Sequence, residues 1–150
     1  MNRFFQYINT LPMPLWLAMM FAPRHPLTER ASRSSSIFAL AALNYVVAII
    51  VALRQARRQA DGPGDITTLA GISQGLGRPS GALAAWAHML ALDLFTGAWI
   101  YRRCRELDAP AGVRIPALFF TLMTGPAGLL YFLAWLAFGR GRWQISDFWR

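Results

Sequence analysis

This sequence predicts an all-α, polytopic membrane protein: a four-transmembrane-helix bundle with Pro-kinked first and fourth helices. Three observations carry that prediction. Of the 150 residues, 55% are apolar and only 15% are charged, an oilier balance than a soluble domain usually shows. The charges avoid four stretches, Phe4–Ala22, Ile37–Leu53, Gly81–Tyr101 and Ile115–Phe138, which run 19, 17, 21 and 24 residues. Crossing a hydrocarbon core of roughly 30 Å takes about 20 helical residues. The stretches also lack the polar stripe of a soluble amphipathic helix. Ile37–Leu53 is apolar all round except for Asn44, and Ile115–Phe138 except for Thr121 and Thr124. The same composition excludes a chain dominated by disorder. A lone Cys104 excludes a disulfide scaffold, and one Cys with two His cannot build a structural zinc site.

The first stretch is interrupted by Gln6, Asn9, Thr10, Pro12 and Pro14. A start at Pro12 would leave only about 11 residues before Pro23, too few to span. A helix kinked near Pro12 and Pro14 is therefore expected, with neighbouring helices satisfying the freed carbonyls. A cleaved signal peptide is the rival reading, but Gln6 and Asn9 interrupt it and no A-x-A site precedes Pro23. Loop one, Pro23–Ser36, is short and polar, and Ile37–Leu53 is the second span. Loop two, residues 54–80, has a Gly62-Pro63-Gly64 break followed by Asp65–Leu76, where Ile66, Leu69 and Ile72 fall on one helical face. That piece is too short and Gly-rich to be a stable free helix. It is read as a surface helix, a lid over the bundle or a plain connector. The third span is Gly81–Tyr101 and loop three is Arg102–Arg114. In the fourth span Gly125-Pro126 removes the bond to the Leu122 carbonyl and should kink the helix. The tail, residues 139–150, is basic, aromatic and interfacial. The whole is expected to be one membrane domain, 1–150.

All fifteen basic residues are Arg, against seven acids, for a net charge of +8. They cluster at the ends of the apolar stretches, where anionic headgroups attract each by about 1 kcal/mol. Trp99 and Tyr101 beside Arg102, and Trp143 and Trp149 in the tail, give the aromatic belt of a membrane interface. Membrane lipid is thus the expected partner. No basic stripe or stacking platform points to nucleic acid. With four spans, Arg3, Arg54, Arg57, Arg58, Arg78, Arg140, Arg142 and Arg150 share one side, eight against seven on the other. The positive-inside rule then leans only slightly to N-in, C-in.

The ionisable acid within the oil is Asp93, roughly 3 Å from the midplane of its helix. A carboxylate there costs on the order of 3 kcal/mol. Such groups face a bundle interior and mark function, or else stay protonated and hydrogen-bonded to a neighbour. His88 lies five residues earlier, about 140° around the helix, so the pair does not chelate one metal. Pro12, Pro14, Asn44, Asp93 and Pro126 fall at similar depth, and broken helices at mid-depth often surround a binding site. The alternative is a kinked bundle held by a few interhelical hydrogen bonds. Walker, G-x-S-x-G, H-E-x-x-H and Rossmann motifs are missing, and no cofactor or metal is implied. Arg102, Arg103 and Arg105 around Cys104 would favour its thiolate, though no role is assigned to it.

Trp86-Ala87-His88-x-x-Ala91-x-Asp93-Leu94-Phe95-x-Gly97-x-Trp99-Ile100 and Leu122-Met123-Thr124-Gly125-Pro126-x-Gly128-Leu129-Leu130 resemble the abscisic-acid-deficient-4-like family of small membrane proteins. So does Leu11-Pro12-x-x-Leu15-Trp16-x-x-Met19, with Ala22-Pro23 and Thr28. The resemblance implies four membrane helices. In plants it implies a role in converting violaxanthin to neoxanthin, the rearrangement of an epoxide to an allenic alcohol. It also implies a bacterial inner-membrane protein here. This chain has Ala98 where the family favours Arg, and Arg102 where it favours an acid; Arg102 or Arg103 would substitute only in part. Three functions follow. The first is non-catalytic: binding a carotenoid or isoprenoid lipid, or assisting membrane enzymes, alone or as a homo-oligomer. Trp86, Phe95 and Trp99 would then flank a polyene, with Asn44, Thr96, Thr124 and Pro126 completing the site. The second is a carotenoid epoxide isomerase with Asp93 and His88 as acid and base. The third is a small transporter built by oligomerisation.

Overall fold

A computed structural model describes residues 2–58 and 65–139, helical apart from short turns and connections. The helices are α1 (Asn2–Thr10), α2 (Met13–Phe21), α3 (Pro26–Ser32), α4 (Ser35–Arg57), α5 (Leu69–Gly77), α6 (Pro79–Glu106), α7 (Ala111–Thr124) and α8 (Pro126–Ala134), followed by a π-helical turn over Trp135–Gly139. The Gly62-Pro63-Gly64 break and the tail from Arg140 lie outside the described residues. The fold is all-α and membrane-associated, because α4 and α6, at 23 and 28 residues, are long and apolar enough to cross a membrane. Only 11% of the most apolar part of α4 is buried in the protein. Leu43, Val46, Val47, Ile50 and Leu53 lie exposed on it. Left in water, each would forfeit on the order of 1 kcal/mol; hydrocarbon removes that cost.

The chain forms two units, Met1–Met13 with Ser34–Leu92 and Pro14–Arg33 with Asp93–Arg150. In the first, Ala48, Ala52 and Ala56 recur every fourth residue of α4 and are buried. Ala48 and Ala52 pack with Ala84 and Ala87 of α6 and with Ile8 of α1. Small side chains at this spacing let helix backbones approach closely, which is how helices associate in lipid. The helix α5 is started by Thr68, whose Oγ1 accepts from the Gly71 N–H at 3.1 Å. It docks tightly on α6: a Cβ at Gly81 would collide with the Gly75 carbonyl oxygen.

In the second unit, Trp16 of α2 is 1% exposed and presses on Gly97 of α6, where a Cβ would overlap the indole ring. The α6 helix ends in a reciprocal pair of bonds, Ala109 N–H to Cys104 O at 2.8 Å and Asp108 N–H to Arg105 O at 3.4 Å. Asp108 takes the left-handed conformation (φ 47°) that this ending requires. Carbonyls at the ends of α2 and α3 find side-chain donors. Tyr101 Oη donates to Pro23 O at 2.7 Å, Thr28 Oγ1 to Ala22 O at 2.9 Å, and Arg102 Nη1 to Ser32 O.

The first apolar stretch is interrupted at its prolines: α1 ends at Thr10 and α2 begins at Met13, because Pro12 has no N–H to continue the ladder past Leu11. The fourth is a hairpin rather than a single kinked span. At Gly125 the backbone adopts φ 58°, ψ −90°, and α8 folds back along α7. Tyr131 Oη thereby reaches Gly112 O at 3.3 Å, and Phe120 and Tyr131 place their rings 6.3 Å apart. Gly128 lies so close to α7 that a Cβ would collide with Thr121 and the Ala117 carbonyl. Nineteen residues of straight helix would hold Gly112 and Tyr131 about 28 Å apart. The 14 residues of α7 reach only about 21 Å, short of a hydrocarbon core.

Candidate functional site

The first unit holds an apolar cavity of about 300 Å³. Tyr45, Ile49, Ala52 and Ala56 of α4 form one wall, and Ala84, Ala85 and His88 of α6 another. Ile66, Ile72 and Leu76 from the α5 segment line its third side. The two walls follow from the alanine seam: the helices meet closely at Ala48, Ala52, Ala84 and Ala87, and the larger Tyr45 and His88 flank that contact. Their rings sit 5.0 Å apart at 58°. His88 is exposed at the rim. The turn that precedes α5 is held by Asp65, whose Oδ1 accepts from Thr67 N–H at 2.9 Å and from Thr67 Oγ1 at 2.7 Å. Those bonds hold the Asp65 carboxyl below its usual range.

Trp86 belongs to a different surface. Its Nε1 donates to Asn9 Oδ1 at 3.0 Å, and its ring lies 6.3 Å from Phe5. Asn9 is in turn fixed by its bond to Phe5 O at 2.7 Å. Asn44 is half-buried on α4 and does not line the cavity; its neighbour Tyr45 does.

In the second unit Asp93 meets the turn of the α7–α8 hairpin. A Cβ at Gly125 would collide with Asp93 Oδ1. The carboxyl thus stands at the N-terminus of α8, where Pro126 is the first helical residue. Trp99 packs edge-on against Phe132, 5.7 Å between centroids at 88°. Phe95 is exposed, Thr96 is half-buried, and the exposed Thr124 donates its hydroxyl to Phe120 O at 2.9 Å. Ala98 is fully buried. Arg102 lies nine residues beyond Asp93, about 13 Å along the helix, and is engaged with Ser32 O. It therefore does not supply the missing arginine to Asp93. Cys104 is only 2% exposed, which removes the reactive thiol suggested by its basic neighbours.

The sites thus pair Tyr45 with His88, Trp86 with Asn9, Trp99 with Phe132, and Asp93 with Gly125-Pro126. His88 belongs to the first unit and Asp93 to the second. Sequence reasoning missed Tyr45 and the hairpin. The four-residue alanine spacing of α4 pointed to the first, and Gly125 with Gly128 to the second.

No curated protein and no solved structure matches this chain. The family model described as ABA DEFICIENT 4-like matches residues 3–132, and the chain belongs to that family.

Proposed function

We propose that the protein binds the end group of a carotenoid or related isoprenoid lipid in the cavity beneath α5. The observation that carries this reading is the cavity itself, about 300 Å³ and lined mostly by apolar side chains, with Tyr45, Arg78, Ser80 and His88 as its polar groups. That volume is at the lower end of ligand pockets and suits a ring or chain terminus, the rest of the molecule lying in lipid. Family membership supports a carotenoid-associated role. The site is that of a binding or accessory protein of a bacterial inner membrane.

The test is the visible absorption of protein purified from membranes of carotenoid-producing cells, compared with an Ala85→Phe variant that fills the cavity and with His88→Ala. A polyene spectrum that Ala85→Phe abolishes, with helicity unchanged, is expected. Pigment retained at full stoichiometry in Ala85→Phe, or none in the wild type, overturns it.

One observation favours a second reading, an epoxide isomerase: the Asp93 carboxyl at the hairpin turn could donate the proton that epoxide opening needs. Loss of added epoxy-carotenoid turnover in Asp93→Asn would select this reading, and absence of turnover in the wild type would dismiss it.

A further inference from the structure

We propose that a second, polar pocket at the C-terminal end of α6 binds a phosphate group. It has a volume of about 180 Å³ and is lined by Glu29, Arg33, Tyr101, Arg102, Arg105 and Glu106. Three guanidiniums face two carboxylates. Glu106 is taken up by Arg103, which is not a lining residue, at 2.8 Å. Glu29 reaches Arg33 only at 3.6 Å, with both side chains more than half exposed. The pocket therefore keeps an excess of positive charge: Arg33 and Arg102 repel each other across it, and Glu106 offsets that repulsion only in part. A bound anion relieves that repulsion.

One donor is held in place: Arg102 is anchored on the carbonyl of Ser32, at the end of α3. The Tyr101 hydroxyl donates to Pro23 O at 2.7 Å, and the fully buried Tyr101 forms the floor. Planar guanidiniums match the paired oxygens of a phosphate better than an ammonium would. The pocket follows directly on the apolar run of α6, two residues beyond Trp99, at the depth where lipid phosphates lie. The phosphate can belong to an anionic lipid or to a soluble phosphate ester.

The full chain is reconstituted in phosphatidylcholine nanodiscs. Binding is read by native mass spectrometry and by the midpoint of thermal unfolding, with phosphatidic acid in the disc or with inorganic phosphate in solution. Retention of phosphatidic acid alone identifies a lipid headgroup, and a response to inorganic phosphate identifies a soluble ligand; either supports the site. Arg33→Gln and Arg105→Gln are expected to weaken binding about tenfold each. Arg33 is exposed at the surface, so its variant keeps the fold. Glu29→Gln, which removes a competing carboxylate, is expected to tighten binding, a gain that misfolding cannot imitate. Binding of neither probe above the phosphatidylcholine background, or equal binding by wild type and all three variants, overturns the proposal.

Discussion

Replacing Gly125 by Ala distinguishes a hairpin from a kinked span by the sign of its effect. In the interior of a continuous helix the exchange would stabilise by about 0.5–1 kcal/mol, because Gly loses more conformational freedom on folding than Ala. At the observed φ of 58° and ψ of −90° an L side chain is strained, at a cost of about 1–3 kcal/mol. The new methyl also collides with Asp93 Oδ1, and overpacking of this kind costs a further 1–3 kcal/mol or so. The expected loss is therefore about 2–6 kcal/mol. Asp93→Ala in the same chain removes the collision but not the backbone strain, so it should restore only the second part. Unfolding of all four members of the cycle by sodium dodecyl sulfate, followed by circular dichroism in mixed micelles, measures both parts. A neutral or stabilising Gly125→Ala, or a double variant with no coupling between the sites, would refute the reasoning.

Gly97→Ala places a methyl inside the ring of the buried Trp16 and is expected to cost about 1–3 kcal/mol; intrinsic Trp fluorescence during unfolding would report it, and an unchanged midpoint would contradict the contact. The Asp65 carboxyl titrates below its usual range in the turn before α5 because Thr67 donates to its charged form. Its contribution to that turn is thus present above the ordinary carboxylate pKa and lost as pH falls through the lowered value. The protection of the Thr67 amide, relative to the intrinsic exchange rate at each pH, should fall only in that acidic window and should show no such step in Asp65→Asn, whereas a transition near neutral pH would contradict it.

The long helices were legible because membrane crossing is written in composition: α4 and α6 cover the stretches with few charges. The direction of the chain within an apolar stretch is not written there. Ile115–Phe138 has the length of one span, and hydrophobicity alone cannot tell a span from two shorter helices folded together. The local signal was Gly125 with Gly128, one residue permitting the turn and the other the close approach to Thr121. At the candidate site, His88 and Asp93 stood out as polar groups in oil, whereas Tyr45 did not, since its role depends on the register of α4 against α6. Asn44 drew attention by polarity, yet helical rotation gives its neighbour the cavity wall. Ala98 read as a missing arginine; in the fold it is a fully buried contact, so a small residue is what that position packs.

The fold-back of the fourth apolar stretch is tested most directly by the sidedness of its two ends. In a Cys104→Ser background, single cysteines at Ala111 and at Ser146 are labelled with a membrane-impermeant maleimide in spheroplasts and in inverted vesicles. The hairpin predicts that both label from the same side of the membrane. Labelling from opposite sides would mean that residues 111–138 cross as a single span, and would contradict it.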